Sequence, residues 1–179
     1  IKGMAMTSGN REGKVVFRLK NKDYTHECSV SQYGYKYGED EWITLQKATK
    51  GRNGGINIVL LGDGYNAKDI ADGNYLKHIK QEVEHFFGIE PYKTYRNYFN
   101  VYTAVPLSTE TGVGTVNTIR YNRFSTTFTG GVGLKADYDE IFSYALGAPT
   151  VNKGNLKETL IIIVPNSTDY GGICQMWPD

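Results

Sequence analysis

The sequence predicts an α/β fold preceded by a small all-β segment. Two short and nearly continuous apolar runs, residues 56–61 and 160–164, have the pattern of strands covered on both faces of a sheet. Between them, residues 67–87 and 137–146 follow helical spacing. Because strands here alternate with helices, we expect an α/β layer with at least some parallel pairing.

The N-terminal segment has a different pattern. Residues 14–20 and 24–32 are extended runs separated by a short polar turn, which predicts a hairpin. Two strands are marginally stable alone, so we expect further strands of this sheet upstream of Ile1. The predicted organisation is a β module at 1–37, a linker at 38–55 and an α/β region at 56–179. Residues 42–46 are a possible short strand within the linker.

Local signals place the other elements of the α/β region. Asn66 is a predicted N-cap with Asp69 at the third helical position, a variant of the capping box. Gly73 lies inside the helix that follows and predicts a kink. We expect the next strand at residues 98–105, and a long loop with short strands at 109–133.

Composition excludes several classes of function. The chain has 20 Lys and Arg against 19 Asp and Glu, so it lacks the basic footprint of a nucleic-acid-binding protein. Its longest apolar runs are far short of the ~20 residues that a membrane helix needs, so we expect no transmembrane segment. Abundant Gly and Tyr favour a secreted, periplasmic or cell-surface protein. The chain begins at Ile1 and stops at Asp179 in a Gly/Pro-rich stretch, so we interpret it as a fragment without its signal sequence.

The two cysteines do not form a disulfide framework. Cys28 and Cys174 lie in different predicted regions, so two free thiols are favoured over a mutual bridge, although the bridge stays possible.

The chain contains no complete catalytic motif. It has no GxSxG elbow, phosphate-binding loop or EF-hand loop. A zinc peptidase needs two His one helical turn apart, a third ligand and a Glu as base. His26 and Glu27 begin such a motif, but Val30 stands where the second His is required, and the segment is predicted to be a strand.

Three further groups of residues each have a functional interpretation and a simpler structural one. His78, Glu82 and His85 share one stripe of a helix and could hold a metal, but the apolar face lies roughly opposite, which favours a solvated surface. Asp63 and Asp169 each follow a buried strand, at the edge where α/β sheets bind ligands.

The two aspartates could bind an ion, orient a ligand or act as acid and base, whereas turn chemistry is the favoured alternative for either alone. Tyr33, Tyr35 and Tyr37 alternate and could stack on sugar rings from one face of an extended segment. Ordinary packing is favoured for them.

Two stretches of the chain resemble known families. The segments NIVLLGDGY (57–65), FGIEPYKTYRNYFNVY (87–102) and IIIVPNSTDYGG (161–172) resemble, in order, the catalytic domain of IgA-peptidase-type zinc metallopeptidases of gut Bacteroidetes. The segments GNREGKVVF (9–17) and CSVSQYG (28–34) are similar to the C-terminal half of a BACON domain, a small β-sandwich of the same bacteria.

The peptidase resemblance implies a zincin-like mixed sheet with backing helices, incomplete in this chain. In that family an HExxH helix holds zinc and its Glu acts as general base. The resemblance places this helix beyond Asp179, so it implies no catalytic residue and no zinc ligand here, and a zinc ion only in the full-length protein. It places Asp63, Tyr65, Asp169 and Tyr170 near the rim of the cleft, as wall residues.

Two hypotheses follow. The leading one is the N-terminal part of a secreted zinc-dependent endopeptidase that acts on a protein or glycoprotein, with residues 1–179 inactive by themselves. The alternative is an extracellular glycan- or mucin-binding protein, in which Tyr33, Tyr35 and Tyr37 bind the glycan and the α/β region is a non-catalytic support. The downstream gene distinguishes them, because an HExxH there supports the peptidase and a stop codon supports the binding protein.

Overall fold

The structure is a computed structural model that describes residues 11–18, 20, 23–32, 41–52, 54–169, 171, 172 and 174. The chain divides into two compact units, Ile1–Lys36 and Tyr37–Asp179. The first contains the predicted β segment and the second contains the α/β region.

The first unit contains the predicted hairpin. Strands β1 (Arg11–Arg18) and β2 (Thr25–Gln32) pair antiparallel. Lys14 and Glu27 form an exposed ion pair across the strands at 2.9 Å. None of the hairpin side chains whose exposure the structure describes is buried, and Phe17 is 55% exposed. Burial stabilises a sheet, and the presence of further strands beside this hairpin stays a prediction.

The second unit is built on a mixed sheet. Within the described residues its strands are β3 (Ile43–Gln46), β4 (Ile56–Asp63), β5 (Phe99–Thr103) and β8 (Leu160–Pro165). Their order is β3-β5-β4-β8, with β3 antiparallel to β5 and the other pairs parallel. The parallel pairing expected from alternating strands and helices is therefore confirmed. The segment predicted as a linker contributes β3 to this sheet.

Helices cover both faces of the sheet. Val59 and Leu61 of β4 belong to one apolar cluster with Ile141 and Ala145 of α3 (Tyr138–Ala145). Successive side chains of a strand point to opposite faces, so Ile58, Leu60 and Gly62 share the other face. There, α2 (Asn74–Phe86) packs on β4, and its Tyr75 hydroxyl accepts a hydrogen bond from the Gly62 amide at 3.5 Å. This double cover explains why β4 reads as one continuous apolar run.

The first helical segment is divided at Gly73. Helix α1 (Ala67–Ala71) begins at the predicted N-cap, where the Asn66 side chain accepts from the Lys68 and Asp69 amides and Asp69 accepts from the Asn66 amide. Gly73 has φ +79°, outside helical conformation, and caps the start of α2. The predicted kink is therefore a complete break, because a left-handed residue cannot continue the hydrogen-bond ladder.

The connection between β5 and α3 is long, as predicted. It contains the two-residue strands β6 (Thr127–Phe128) and β7 (Leu134–Lys135), which pair antiparallel. Helix α3 begins after Asp137, whose carboxylate accepts from the Glu140 amide at 3.1 Å.

The prediction of a strand at residues 160–164 is confirmed, but the prediction that it is covered on both faces is wrong. Leu160 is 39% exposed, and only Val164 of β8 is buried. The reason is that β8 pairs with β4 on one side and forms the edge of the described sheet. Apolar character alone does not distinguish an edge strand from a central one.

The structure also bears on the expectations about the two cysteines and about membrane-spanning helices. Cys28 and Cys174 are free thiols, as favoured from their positions in the sequence. None of the helices formed by the described residues combines the length and apolar character that crossing a bilayer requires.

Gly73→Ala tests the break between α1 and α2. A Cβ at this position meets no heavy atom within 4 Å, so backbone conformation alone determines the cost. We expect a loss of about 1 kcal/mol in the free energy of unfolding, measured by urea denaturation, because the left-handed region is unfavourable for Ala. Gly73→Asn is the matched control and loses less, since Asn tolerates this region. An Ala variant as stable as the parent would contradict the break.

Candidate functional site

The carboxyl edge of the parallel sheet is centred on a buried carboxylate. Asp63 ends β4 and its side chain is 0% exposed. One carboxylate oxygen accepts from the amides of Gly64 and Phe124 at 3.0 and 3.2 Å and from the Ser108 hydroxyl at 3.2 Å. The other accepts from the Thr126 amide at 3.0 Å. The charge is therefore stabilised by four neutral donors, most of them from the long connection after β5.

Ser108 connects this carboxylate to two more backbone groups. Its hydroxyl donates to Asp63 and accepts from the amides of Gly64 and Arg123, each at 3.0 Å. Since buried donors need acceptors, Asp63 and Ser108 together determine how residues 108–126 fold over the end of β4.

Asn166 holds the exit of β8 against the same edge. Its backbone amide donates to the Asp63 carbonyl at 2.8 Å. Its side-chain amide donates to the Gly64 carbonyl at 2.9 Å and to the Thr111 hydroxyl at 3.2 Å. The ends of β4 and β8 and the loop at Thr111 are thus joined at one point.

Gly64 is required where these segments meet. It has φ +79°, and a Cβ there would clash with the Gly112 carbonyl. The Gly112 amide donates to the Gly64 carbonyl at 2.8 Å, so the two backbones are in direct contact. A side chain at Gly64 would push the two backbones apart.

Tyr65 is buried beside this turn. It is 1% exposed, and its ring lies edge-on to Tyr75 with centroids 5.1 Å apart. Its hydroxyl lies 3.0 Å from His78 Nδ1. Burial, followed by the nearby Tyr75, Asp69 and Glu82, raises the pKa of the Tyr65 hydroxyl, so it stays protonated and can donate to an Nδ1 that carries no proton.

The helix stripe that carries two histidines does not form one cluster. His78 is half-buried against Tyr65, so the expectation that the whole stripe faces solvent is wrong for this residue. His85 is exposed, with its Nδ1 3.4 Å from Glu82 Oε1, in agreement with a solvated surface. Tyr75, which lies one turn before His78, is the buried residue that brings this part of the stripe inward.

The sequence-predicted wall residues occupy different environments. Asp63 and Tyr65 lie at the sheet edge, but their side chains are buried there. Asp169 is exposed beyond β8, and its amide donates to the Ser167 hydroxyl at 3.0 Å. Tyr170 and the three tyrosines proposed to bind glycans, Tyr33, Tyr35 and Tyr37, lie outside the described residues. A place in a cleft wall therefore stays a prediction for all four wall residues.

Sequence reasoning missed Ser108, Thr126 and Asn166. Asn166 had a usable signal, because it follows β8 directly, at the same edge of the sheet where Asp63 ends β4. The other two had none, because they lie in a loop 45 and 63 residues beyond Asp63.

The described residues do not fit a zinc ion. They contain no group of three or more His, Cys, Asp and Glu that could hold a metal. His78 Nδ1 is bonded to Tyr65, and the Asp63 oxygens are occupied by four donors. The chemistry of this edge is therefore structural, with neutral donors arranged around a buried charge.

Comparison with known families places most of the chain in a peptidase family. The family model described as IgA peptidase M64 matches residues 43–176, well over half of the chain. The match begins at β3, so it includes the strand within the predicted linker. A comparison with curated proteins found no match. The resemblance of the first unit to a BACON domain and an origin in Bacteroidetes stay predictions.

Asp63→Asn tests the buried carboxylate. The replacement puts an NH₂ group opposite backbone or hydroxyl donors, and we expect a loss of about 2–3 kcal/mol in the free energy of unfolding. Urea denaturation followed by circular dichroism measures it. Asp169→Asn makes the same chemical change at an exposed position and costs less than about 0.5 kcal/mol. Equal losses for the two variants would contradict the role given to Asp63.

Proposed function

The chain belongs to the IgA peptidase M64 family, and from this premise we propose that it forms part of a zinc-dependent endopeptidase whose zinc ligands lie outside it. In this proposal the second unit supplies the sheet and the covering helices of a zincin-like domain. An HExxH helix from a later part of the full protein completes the active site. The substrate class that a peptidase family implies is protein.

The proposal rests on the family match combined with the small number of His side chains in this chain that could bind zinc. A peptidase zinc site needs at least three protein ligands. The sequence contains three His in all, and none is part of an HExxH. Because the described residues do not fit the metal, no step of peptide hydrolysis is assigned to them.

The chain's own residues have a positioning role in this proposal. Asp63, Ser108 and Asn166 fasten the ends of β4 and β8 and the connecting loop into one edge. Sites built on rigid strands are held more accurately than sites on free loops. The segment after β8, which contains Asp169 and Tyr170, would lead from this edge toward the cleft.

Location and the finer substrate class belong to the same proposal. Abundant Gly and Tyr support a secreted, periplasmic or cell-surface enzyme. The peptidase family supports a protein as the substrate, and a glycoprotein is the finer proposal. The alternative, a glycan-binding protein that uses Tyr33, Tyr35 and Tyr37, rests on residues outside the described part of the chain.

The metal content and the peptidase activity of residues 1–179 test the proposal. We expect well below one zinc per chain after incubation with zinc and dialysis, and no cleavage of casein, because the ligands and the base are missing. Circular dichroism checks that the chain is folded.

A longer product of the same gene provides the positive control. It is expected to contain an HExxH, to bind one zinc and to cleave casein, and replacing the Glu of that motif with Gln should abolish cleavage while zinc stays bound. Stoichiometric zinc together with cleavage by residues 1–179 would contradict the proposal, and so would a full-length gene product that lacks a zinc-binding motif.

A further inference from the structure

A second feature lies at the opposite edge of the sheet. At the amino ends of β4 and β5 the second unit has an open cavity of about 710 Å³, which is within the range of ligand pockets. Its walls come from three parts of the chain and are lined by residues 51, 52 and 54–57, by residues 98 and 100, and by residues 150, 155 and 158. The residues at the carboxyl edge, centred on Asp63, take no part in it.

The floor of the cavity is a rigid polar network. Asn57 and Asn100 are 7% and 6% exposed. The Asn100 side-chain amide donates to Asn57 Oδ1 at 3.1 Å and to the Gly54 carbonyl at 2.7 Å, and Asn100 Oδ1 accepts from the Ala48 amide at 2.9 Å. The Thr150 hydroxyl lies 2.8 Å from Asn57 Oδ1. Because these groups satisfy one another, the floor keeps its shape without a ligand.

The rim has polar groups with unused bonding capacity. Arg52 and Glu158 are exposed, and neither forms an ion pair within the described part of the chain. Asn155 directs one side-chain N–H to the Thr150 carbonyl at 2.8 Å, which leaves its second N–H available. The rim therefore combines a guanidinium, an amide donor and a carboxylate acceptor around one space.

An aromatic ring completes the wall. Tyr98, half-buried at the end of a 3₁₀ turn, lines the cavity and is held edge-on by Tyr95 with centroids 5.8 Å apart. A fixed ring offers an apolar plate to a ligand at a low cost in conformational entropy.

We propose that this cavity binds a neutral carbohydrate, one or two sugar units of a glycan. Hydroxyl groups donate and accept, so they can satisfy the guanidinium, the amide and the carboxylate together. The C–H face of a sugar ring suits the Tyr98 plate. Arg52 and Glu158 together give the rim no net charge. Glu158 repels a simple anion and Arg52 repels a simple cation, so a neutral ligand is favoured. This site is independent of the proposed function and needs no peptidase activity.

Binding of sugars to residues 1–179 tests the site. The probes are neutral hexoses, N-acetylhexosamines and their disaccharides, with inorganic phosphate and free glycine as the charged and zwitterionic comparisons. We expect at least one neutral sugar to bind with a Kd of about 1 mM or tighter by calorimetry, with saturation-transfer NMR identifying the bound sugar. Phosphate and glycine should not compete.

Variants show whether the cavity is the place of binding. Arg52→Ala and Glu158→Gln should each weaken sugar binding about tenfold, equivalent to about 1.4 kcal/mol. Ile56→Trp places a large side chain at the cavity wall, at a position that is 48% exposed, and should abolish binding. Arg120→Ala removes an exposed arginine elsewhere and should leave affinity unchanged. Circular dichroism confirms that each variant is folded.

Three results would overturn the proposal. One is the absence of sugar binding at about ten times the expected Kd. Another is phosphate or glycine binding that depends on Arg52 and Glu158 while sugars do not bind. The last is sugar binding that persists in all the cavity variants, since the sugar would then occupy another surface.

Discussion

The arrangement of the second unit depends on one buried charge, the carboxylate of Asp63. It lies at the end of β4, where residues 57–63 are all buried, and it forms no ion pair with the residues that the structure describes. A buried charge of this kind is tolerable only if hydrogen-bond donors replace its hydration. Four donors from the backbone and from Ser108 do so. Because three of them come from residues 108–126, forming β4 and folding that connection are energetically coupled.

The two edges of the sheet differ in how their polar groups are used. At the carboxyl edge, the main polar side chains bond to other parts of the protein, and the described residues lack a metal-binding set. At the amino edge, the polar groups of the floor satisfy one another, and the charged groups of the rim, Arg52 and Glu158, form no ion pair with any residue that the structure describes. Membership of a peptidase family is compatible with the lack of a metal-binding set among the described residues on one condition. This chain would supply a rigid scaffold that positions the site, and the hydrolytic groups would come from another part of the protein.

The sequence was sufficient for features that depend on local chemistry. The continuous apolar run of β4, the capping box at Asn66 and the break at Gly73 follow from neighbouring residues. The resemblance to the peptidase family, stated from three segments, agrees with the family match. Placing Asp63 at the end of a buried strand was also within reach, because a strand followed by Gly-Asp-Gly ends there.

What the sequence could not supply depends on distant contacts. The partners of Asp63 lie up to 63 residues away, and no periodicity connects them. Whether β8 lies at an edge or in the centre of the sheet depends on strand order, which its apolar residues do not encode. The apolar periodicity of α2 predicts a solvent-exposed His78, because the pattern does not include Tyr75 among the inward residues. The cavity at the amino edge is formed by three segments that are distant in sequence, and no sequence motif in them indicates a cavity.

Thermal unfolding of the unmodified chain, with excess zinc and with a chelator, tests most directly the claim that this unit folds as a scaffold without metal ligands of its own. A metal bound only by the native state stabilises it by about 2.7 kcal/mol at 100 times Kd. The account predicts the same Tm under both conditions. A Tm several degrees higher with zinc than with the chelator would contradict it.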